Sequence, residues 1–163
     1  MNVAIIGCGG MGSLHAQMVT NCGLKLVVCG DKYIKKAKEI AGNYGAEATE
    51  DCMGILKRAD VDIVAITTPT PTHSMYVVAA AQAGKNIFCE KPFGRTVEQA
   101  KEALAAAKKA KVKLFVGHVV RYFQEFDAMR SQILAGKVGK PGFAKVYRGG
   151  IYPWGEDLWF RDY

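Results

Sequence analysis

The 163-residue chain is predicted to be an α/β protein built on a doubly wound parallel sheet. Short apolar segments alternate with segments of helical periodicity, so successive strands must be joined by crossover helices. The apolar segments are nearly continuous, which is typical of strands that are buried on both faces of a sheet. A glycine-rich segment follows the first of them directly, where a phosphate-binding turn is expected in such a sheet.

Seven segments are predicted to be strands, because each is a short apolar run bounded by turn residues. They span residues 2–6, 25–29, 46–48, 62–67, 87–89, 113–116 and 143–148. Six helices are predicted between or after them from apolar residues at helical spacing. They span residues 12–21, 34 to about 44, 49 to about 58, 73–83, a segment that begins after residue 96, and 123–135.

Helix ends are predicted from capping residues. Thr49 is the predicted cap of the third helix, and the segment Thr96-Val97-Glu98-Gln99 forms a capping box at the fifth. Glycines follow the predicted helices as stop signals at positions 23, 45, 84 and 136.

Composition restricts the class of protein. Half of the residues are apolar, yet no run reaches the ~18 apolar residues that a membrane-spanning helix needs. The N-terminus lacks the basic segment of a signal peptide, and we expect a cytoplasmic protein. The net charge of +7 suits an anionic ligand such as a phosphate-bearing cofactor. No nucleic-acid-binding signature accompanies the lysines, and the five cysteines have neither zinc-site nor disulfide-framework spacing, so we expect no nucleic acid, membrane or metal partner.

The segment Gly7-Cys8-Gly9-Gly10-Met11-Gly12 has the pattern G-x-G-x-x-G between a predicted strand and a predicted helix. That context is required of a dinucleotide-binding (Rossmann) loop, and it is more informative than the pattern alone. Gly7 permits the tight turn, Gly9 lets the backbone approach a pyrophosphate, and Gly12 lets the helix pack on the strand. The free N–H groups at the helix N-terminus then attract the phosphates.

An acidic residue stands at the end of the second predicted strand. Asp31 follows Gly12 by 19 residues, where a carboxylate accepts hydrogen bonds from the adenosine ribose and repels a 2′-phosphate. This favours NAD over NADP, although Lys32 beside it could accommodate a phosphate. The alternative function of Asp31 is that of a helix N-cap.

Two further segments follow strands at the same predicted edge. Hydroxyl side chains of residues 67–73 could contact ribose or nicotinamide, or Thr72 could simply cap the helix that begins at His73. Glu90-Lys91-Pro92 follows the next strand. Beside a nicotinamide ring the lysine is expected to have a lowered pKa and to exchange a proton, but composition alone favours a surface lysine.

Six motifs occur in order along the whole chain. They are Gly7-x-Gly9-x-x-Gly12-x-x-His15-Ala16, Asp31 with Ala37, Thr67-Thr68-Pro69-x-x-x-His73, Ala83-Gly84-Lys85, Cys89-Glu90-Lys91-Pro92 and Gly117-x-x-x-Arg121-Tyr122. With these motifs the chain resembles the glucose–fructose oxidoreductase, inositol dehydrogenase and rhizopine-catabolism family (Gfo/Idh/MocA). The Glu-Lys-Pro triplet at this spacing is the most specific of them.

The resemblance implies an NAD(P)-dependent oxidoreductase that acts on a secondary alcohol of a sugar, inositol or related polyol. It places Lys91 near the nicotinamide and the reacting hydroxyl as the catalytic residue, and it implies a cis peptide at Pro92. The family often has Asn where this chain has Thr70. The predicted cofactor-binding residues are Gly7, Gly9, Gly10, Met11, Gly12, Asp31, Lys32, Thr67, Thr68, Pro69, Thr70, His73, Glu90, Lys91, Pro92 and Arg121.

The family also has a second domain with an Asp-x-x-x-His motif, which these 163 residues lack. We therefore expect residues 1–120 to form the cofactor domain and residues 121–163 to begin a substrate domain, through whose remainder the parent protein would form homo-oligomers. Arg121, Arg148 and Tyr152 are candidate contacts at the substrate rim. The alternative is a non-catalytic nucleotide-binding or sensing module.

Overall fold

A computed structural model of the chain describes residues 1–147 and residue 149. Two compact units are present, Met1–Gly117 and His118–Tyr163. The first contains a six-stranded, fully parallel sheet with strand order β3-β2-β1-β4-β5-β6. The strands are β1 (Asn2–Ile6), β2 (Lys25–Gly30), β3 (Glu47–Thr49), β4 (Ile63–Ile66), β5 (Asn86–Cys89) and β6 (Leu114–Val116).

Five helices accompany the sheet in the first unit. They are α1 (Gly10–Asn21), α2 (Ile34–Tyr44), α3 (Cys52–Leu56), α4 (His73–Gln82) and α5 (Val97–Ala110). A 3₁₀ turn, Thr70–Thr72, precedes α4. None of the helices in the described part of the chain is long and apolar enough to span a bilayer.

Each face of the sheet is covered by its own apolar core. Val3 and Ile5 of β1 point to the face that packs against α1 and α2. Their neighbours Ala4 and Ile6 point to the opposite face, which packs against α3, α4 and α5. Because both faces are covered, the strands are apolar on both sides, and the predicted doubly wound parallel sheet is confirmed.

Local details differ from the prediction at three places in this unit. Helix α1 begins at Gly10, two residues early, because Gly9 already has the extended backbone of an N-cap. The cap of α3 is Asp51, whose Oδ1 accepts from Gly54 N–H at 2.7 Å, and not Thr49, which ends β3. Helix α3 therefore spans only Cys52–Leu56. Thr72 precedes α4 but makes no side-chain cap hydrogen bond.

The second unit contains a 3₁₀ turn, Val119–Tyr122, and helix α6 (Gln124–Leu134), with Gly136 at a positive φ of 71° after it. The strand predicted over residues 143–148 is wrong for residues 143–147, which have no regular structure. An apolar sequence becomes a strand only with a hydrogen-bonding neighbour, and none pairs with these residues in the described chain. Arg148 and the aromatic residues Tyr152, Trp154, Trp159, Phe160 and Tyr163 lie outside the described residues.

Candidate functional site

The carboxyl ends of β1, β2, β4 and β5 meet at one edge of the sheet. The strand order reverses between β1 and β4, and in doubly wound sheets the crevice at this switch point is where ligands bind. Two segments lie at this edge, the glycine loop (residues 7–12) and the Lys91 turn (residues 90–92). They follow β1 and β5 respectively.

The glycine loop cannot accept side chains at its two ends. Gly7 has a φ of 100°, and a Cβ atom there would lie 2.6 Å from the Thr68 nitrogen and 2.8 Å from the Thr67 oxygen. A Cβ at Gly12 would collide with the carbonyl oxygen of Gly7. Gly7 thus packs directly against the residues after β4, and Gly12 at the start of α1 packs directly against the Gly7 carbonyl.

The middle of the loop is open. A Cβ atom at Gly9 or Gly10 would have no described atom within 4 Å. Helix α1 has no side-chain cap and no acidic residue in its first turn. An anion at this end would meet unpaired backbone N–H groups and the positive end of the helix dipole. The geometry therefore fits a pyrophosphate.

Asp31 lies directly beside the glycine loop. Its Oδ2 accepts from the Cys8 N–H at 2.7 Å, and its Oδ1 accepts from the Tyr33 N–H at 2.8 Å. The N-cap of α2 is Tyr33, so Asp31 does not cap that helix. A carboxylate has about four acceptor positions, and two remain for ribose hydroxyls.

Two lysines surround the aromatic ring after Asp31. Lys32 Nζ lies 4.8 Å and Lys36 Nζ 5.4 Å from the centre of the Tyr33 ring, which is more than half exposed. Lys32 thus makes a cation–π contact with Tyr33. The Asp31 carboxylate beside it stays bonded to the Cys8 N–H of the loop.

The threonines after β4 differ in what their hydroxyl groups contact. Thr67 is buried, and its hydroxyl donates to the Gly7 carbonyl at 2.6 Å. Thr72 Oγ1 lies 2.8 Å from both the Thr68 hydroxyl and the Pro69 carbonyl oxygen. Thr70 is 2% exposed, and its hydroxyl has no hydrogen-bond partner among the described residues.

His73 links the segment after β4 to the Lys91 turn through its buried ring. It is 1% exposed, with Nε2 at 2.7 Å from the Thr68 carbonyl oxygen and Nδ1 at 2.7 Å from the Pro92 carbonyl oxygen. Carbonyl oxygens only accept, so both bonds are satisfied together only when both ring nitrogens carry hydrogen. His73 thus fixes the Lys91 turn to the segment after β4 and does not itself reach the crevice.

Glu90 is a buried acidic residue of this region, with 5% exposure. Its Oε1 lies 2.9 Å from Nε2 of His15 on α1, and its Oε2 accepts the Lys91 N–H at 3.1 Å. The His15 ring also packs on Phe88, with 4.7 Å between ring centroids. Sequence reasoning noted His15 only as part of a motif and gave it no contact, because its partner is 75 residues away.

Lys91 is exposed at this edge, and the Lys91–Pro92 peptide is cis, as the resemblance implied. Cys89, at the end of β5, is not a candidate nucleophile, because burial and the Glu90 carboxylate raise the pKa of its thiol to about 12. Arg121 belongs to the second unit, in the turn Val119–Tyr122.

A separate hollow of about 360 Å³ lies beside β3 and α3. Its lining includes Glu47, Asp51 and Arg58. The guanidinium of Arg58 is engaged by Glu47 at 2.6 Å and by Asp60 at 2.8 Å. Within the described chain, no group of three or more His, Cys, Asp or Glu side chains is placed to hold a metal ion.

Comparison with known proteins gives a match to one family model over residues 1–118. Its description is the Gfo/Idh/MocA oxidoreductase family, NAD-binding Rossmann fold. The chain is 39% identical over 138 residues to an inositol 2-dehydrogenase of Rhizobium meliloti, covering 83% of this chain and 41% of that protein. It is 37% identical to a scyllo-inositol 2-dehydrogenase (NAD(+)) of Bacillus subtilis, covering 88% of this chain and 43% of that protein.

Solved structures agree with these relatives. Myo-inositol 2-dehydrogenase from Lactobacillus plantarum superposes with a TM-score of 0.79 at 27% identity, over 86% of this chain and 42% of that one. The WlbA dehydrogenase from Chromobacterium violaceum, solved with NADH and UDP-GlcNAcA, gives a TM-score of 0.82 at 26% identity, over 85% and 41%. The chain thus spans less than half the length of the relatives it matches.

Proposed function

Because the chain belongs to the Gfo/Idh/MocA oxidoreductase family with its NAD-binding Rossmann fold, we propose that it binds NAD and forms the cofactor half of a polyol dehydrogenase. The observation that carries the proposal is the open, uncapped N-terminus of α1 with the Asp31 carboxylate held beside it by the Cys8 N–H. A pyrophosphate and a ribose diol are the two groups of a dinucleotide that such an arrangement selects.

In this proposal the backbone of the glycine loop binds the pyrophosphate. The space at Gly9 and Gly10 admits the phosphate oxygens, and the α1 N–H groups donate to them. Asp31 accepts from the adenosine ribose hydroxyls. A 2′-phosphate at that position would face the carboxylate, so NAD is preferred over NADP.

The reactive end of the cofactor is proposed to lie towards the Lys91 turn. The nicotinamide ring supplies hydride chemistry when it is bound. Lys91 is exposed at the edge, where its ammonium group can hold and transfer a proton at the reacting hydroxyl. His73 and Glu90 keep the turn in place from the buried side.

The proposed substrate class is inositol or a related polyol, because relatives with 37–39% identity carry the names of inositol 2-dehydrogenases. The chain covers about two fifths of those proteins, and the sequence contains no Asp-x-x-x-His motif. We therefore expect the 163 residues alone to bind the cofactor without turning over a polyol.

Calorimetric titration of the purified chain with NAD⁺ and with NADP⁺ tests the proposal. The expected result is saturable binding of NAD⁺ and weaker binding of NADP⁺. Absence of NAD⁺ binding by a folded chain would overturn the function, and a preference for NADP⁺ would overturn the role of Asp31. A parallel assay with myo-inositol and scyllo-inositol should show no reduction of NAD⁺; turnover would show that the chemistry lies within these residues.

A further inference from the structure

The buried Glu90 side chain and the half-buried His15 side chain form a polar pair that the proposed hydride and proton chemistry does not use. Glu90 comes directly before Lys91, and His15 lies in the second turn of α1. Their side chains are 6% and 17% exposed, and the atoms Nε2 and Oε1 are 2.9 Å apart. A carboxylate with this little access to water depends on its protein partners for stabilisation.

Both oxygens of Glu90 have a partner, and the two partners belong to different parts of the site. Oε1 contacts His15 of the helix whose first turn flanks the open space of the glycine loop. Oε2 accepts the backbone N–H of Lys91. The same carboxylate therefore joins the phosphate-site helix to the residue that carries the proposed proton-transfer group.

The surroundings leave the carboxylate little freedom to move. A Cβ atom at Gly117 would lie 3.2 Å from Glu90 Oε1 and 3.3 Å from the Phe88 ring. The His15 ring also packs on Phe88, with an interplanar angle of 56°. If the carboxylate moves away from His15, its other partner, the Lys91 N–H, must move with it.

We propose that His15 is a positioning residue that acts through Glu90 to hold the Lys91 turn at the nicotinamide end of the cofactor site. This inference rests on the proposed function, because it assigns His15 to one half of the same cofactor. Without the His15 N–H, the buried Glu90 carboxylate keeps among the described residues only the hydrogen bond from the Lys91 N–H, and the turn shifts to bring the carboxylate to water. The glycine loop precedes His15 on α1 and keeps its own backbone contacts, so the adenosine end of the site is unaffected.

Two ligands separate the two ends of the site. ADP-ribose contains the pyrophosphate and adenosine without the nicotinamide, and the fluorescence of NADH reports the surroundings of its reduced nicotinamide ring. His15→Phe keeps an aromatic ring against Phe88 and removes the hydrogen-bonding nitrogen. His15→Gln restores an N–H donor to Glu90, and His118→Phe, an exposed histidine of the second unit, is the matched control.

We expect His15→Phe to retain ADP-ribose affinity within about threefold while the fluorescence of bound NADH falls towards that of free NADH. His15→Gln should restore most of the signal, and His118→Phe should match the unsubstituted chain. Unchanged NADH fluorescence in His15→Phe would overturn the proposal, as would an equal loss of ADP-ribose binding. If the unsubstituted chain binds neither ligand, the proposed function itself is overturned and the inference falls with it.

A second measurement on the unsubstituted chain keeps the proposal testable if His15→Phe does not fold. Coupling between two positions is reciprocal, so a nicotinamide that depends on His15 must also perturb it. We expect the ring ¹⁵N resonances of His15 to move on addition of NADH and to stay in place on addition of ADP-ribose. Identical responses to both ligands would overturn the positioning role.

Discussion

The glycine loop and the Lys91 turn lie at the same edge of the sheet, but different parts of the chain hold them. The loop is shaped by backbone, because Gly7 and Gly12 approach main-chain atoms that leave no room for a Cβ, and the Thr67 and Asp31 side chains bond only to its backbone groups. The Lys91 turn is fixed by the buried side chains of His73 and Glu90. A substitution in the middle of the loop should therefore change binding without changing stability, whereas one beneath the turn should change stability.

The largest effect is expected at Lys91, on turnover. In a protein that joins this chain to the remaining length of an inositol dehydrogenase relative, Lys91→Ala should lower kcat by about 10²–10⁴-fold and leave NAD⁺ affinity nearly unchanged. An ammonium group that transfers a proton stabilises the transition state more than the bound cofactor. Steady-state kinetics with Lys109→Ala as the surface control checks this, and near-normal kcat would refute the role of Lys91.

Because buried side chains hold the Lys91 turn, replacing His73 should lower the stability of the fold. His73→Leu leaves the part-buried carbonyl oxygens of Thr68 and Pro92 without their donor, at about 1–2 kcal/mol for each group. We expect the free energy of unfolding in urea to fall by roughly 2–4 kcal/mol. His118→Leu, at an exposed position, should change it by less than about 0.5 kcal/mol. Equal effects of the two substitutions would contradict the buried role of His73.

A substitution in the middle of the glycine loop should weaken cofactor binding and leave the stability of the fold unchanged. Gly9 has an ordinary extended backbone and no described atom near its Cβ position, so Gly9→Val fits the fold. The new side chain would occupy the proposed pyrophosphate position and weaken NAD⁺ binding by roughly 100-fold or more. The measurement is calorimetry with a thermal melt, and Gly42→Val, an equally open glycine of α2, is the control. Retained binding in Gly9→Val would mean that the loop serves the fold alone.

The smallest effect is expected at Asp31, on the choice of cofactor. Asp31→Asn keeps the shape of the side chain and removes its charge, so NAD⁺ affinity should fall by roughly tenfold while NADP⁺ affinity is kept or rises. The ratio of the two dissociation constants measures this, with Asp127→Asn of the second unit as the control. A ratio that stays at the unsubstituted value would show that the Asp31 carboxylate does not face the ribose.

The difference between the glycine loop and the Lys91 turn also explains how much of the structure could be predicted from the sequence. The parallel sheet follows from the alternation of apolar runs and helical periods, and the six strands from β1 to β6 were all predicted within two residues at each end. The glycine loop was predictable because its G-x-G-x-x-G pattern lies within six consecutive residues, although Gly7 packs against Thr67 and Thr68, which are distant in sequence. The cap of α3 was not, since Thr49 and Asp51 are both good capping residues and only the extent of β3 decides between them.

Side-chain contacts over long sequence distances could not be predicted in this way. His15 and Glu90 are 75 residues apart, and no local pattern indicates that α1 brings one to the other. His73 was predicted to bind the cofactor, yet both of its ring nitrogens face backbone carbonyl oxygens. The assignment of the cofactor-binding residues, His73 among them, stays a prediction.

Amide chemical-shift mapping of the ¹⁵N-labelled chain with NAD⁺ is the sharpest test of a cofactor site at the glycine loop, because it locates the ligand residue by residue. We expect the largest shifts at the N–H groups of Gly9, Gly10 and Met11, with further shifts at Lys32 and Lys91. ADP-ribose should reproduce the loop shifts and omit the one at Lys91. Shifts confined to the hollow beside β3 and α3, or a spectrum unchanged at saturating NAD⁺, would contradict a cofactor site at the glycine loop.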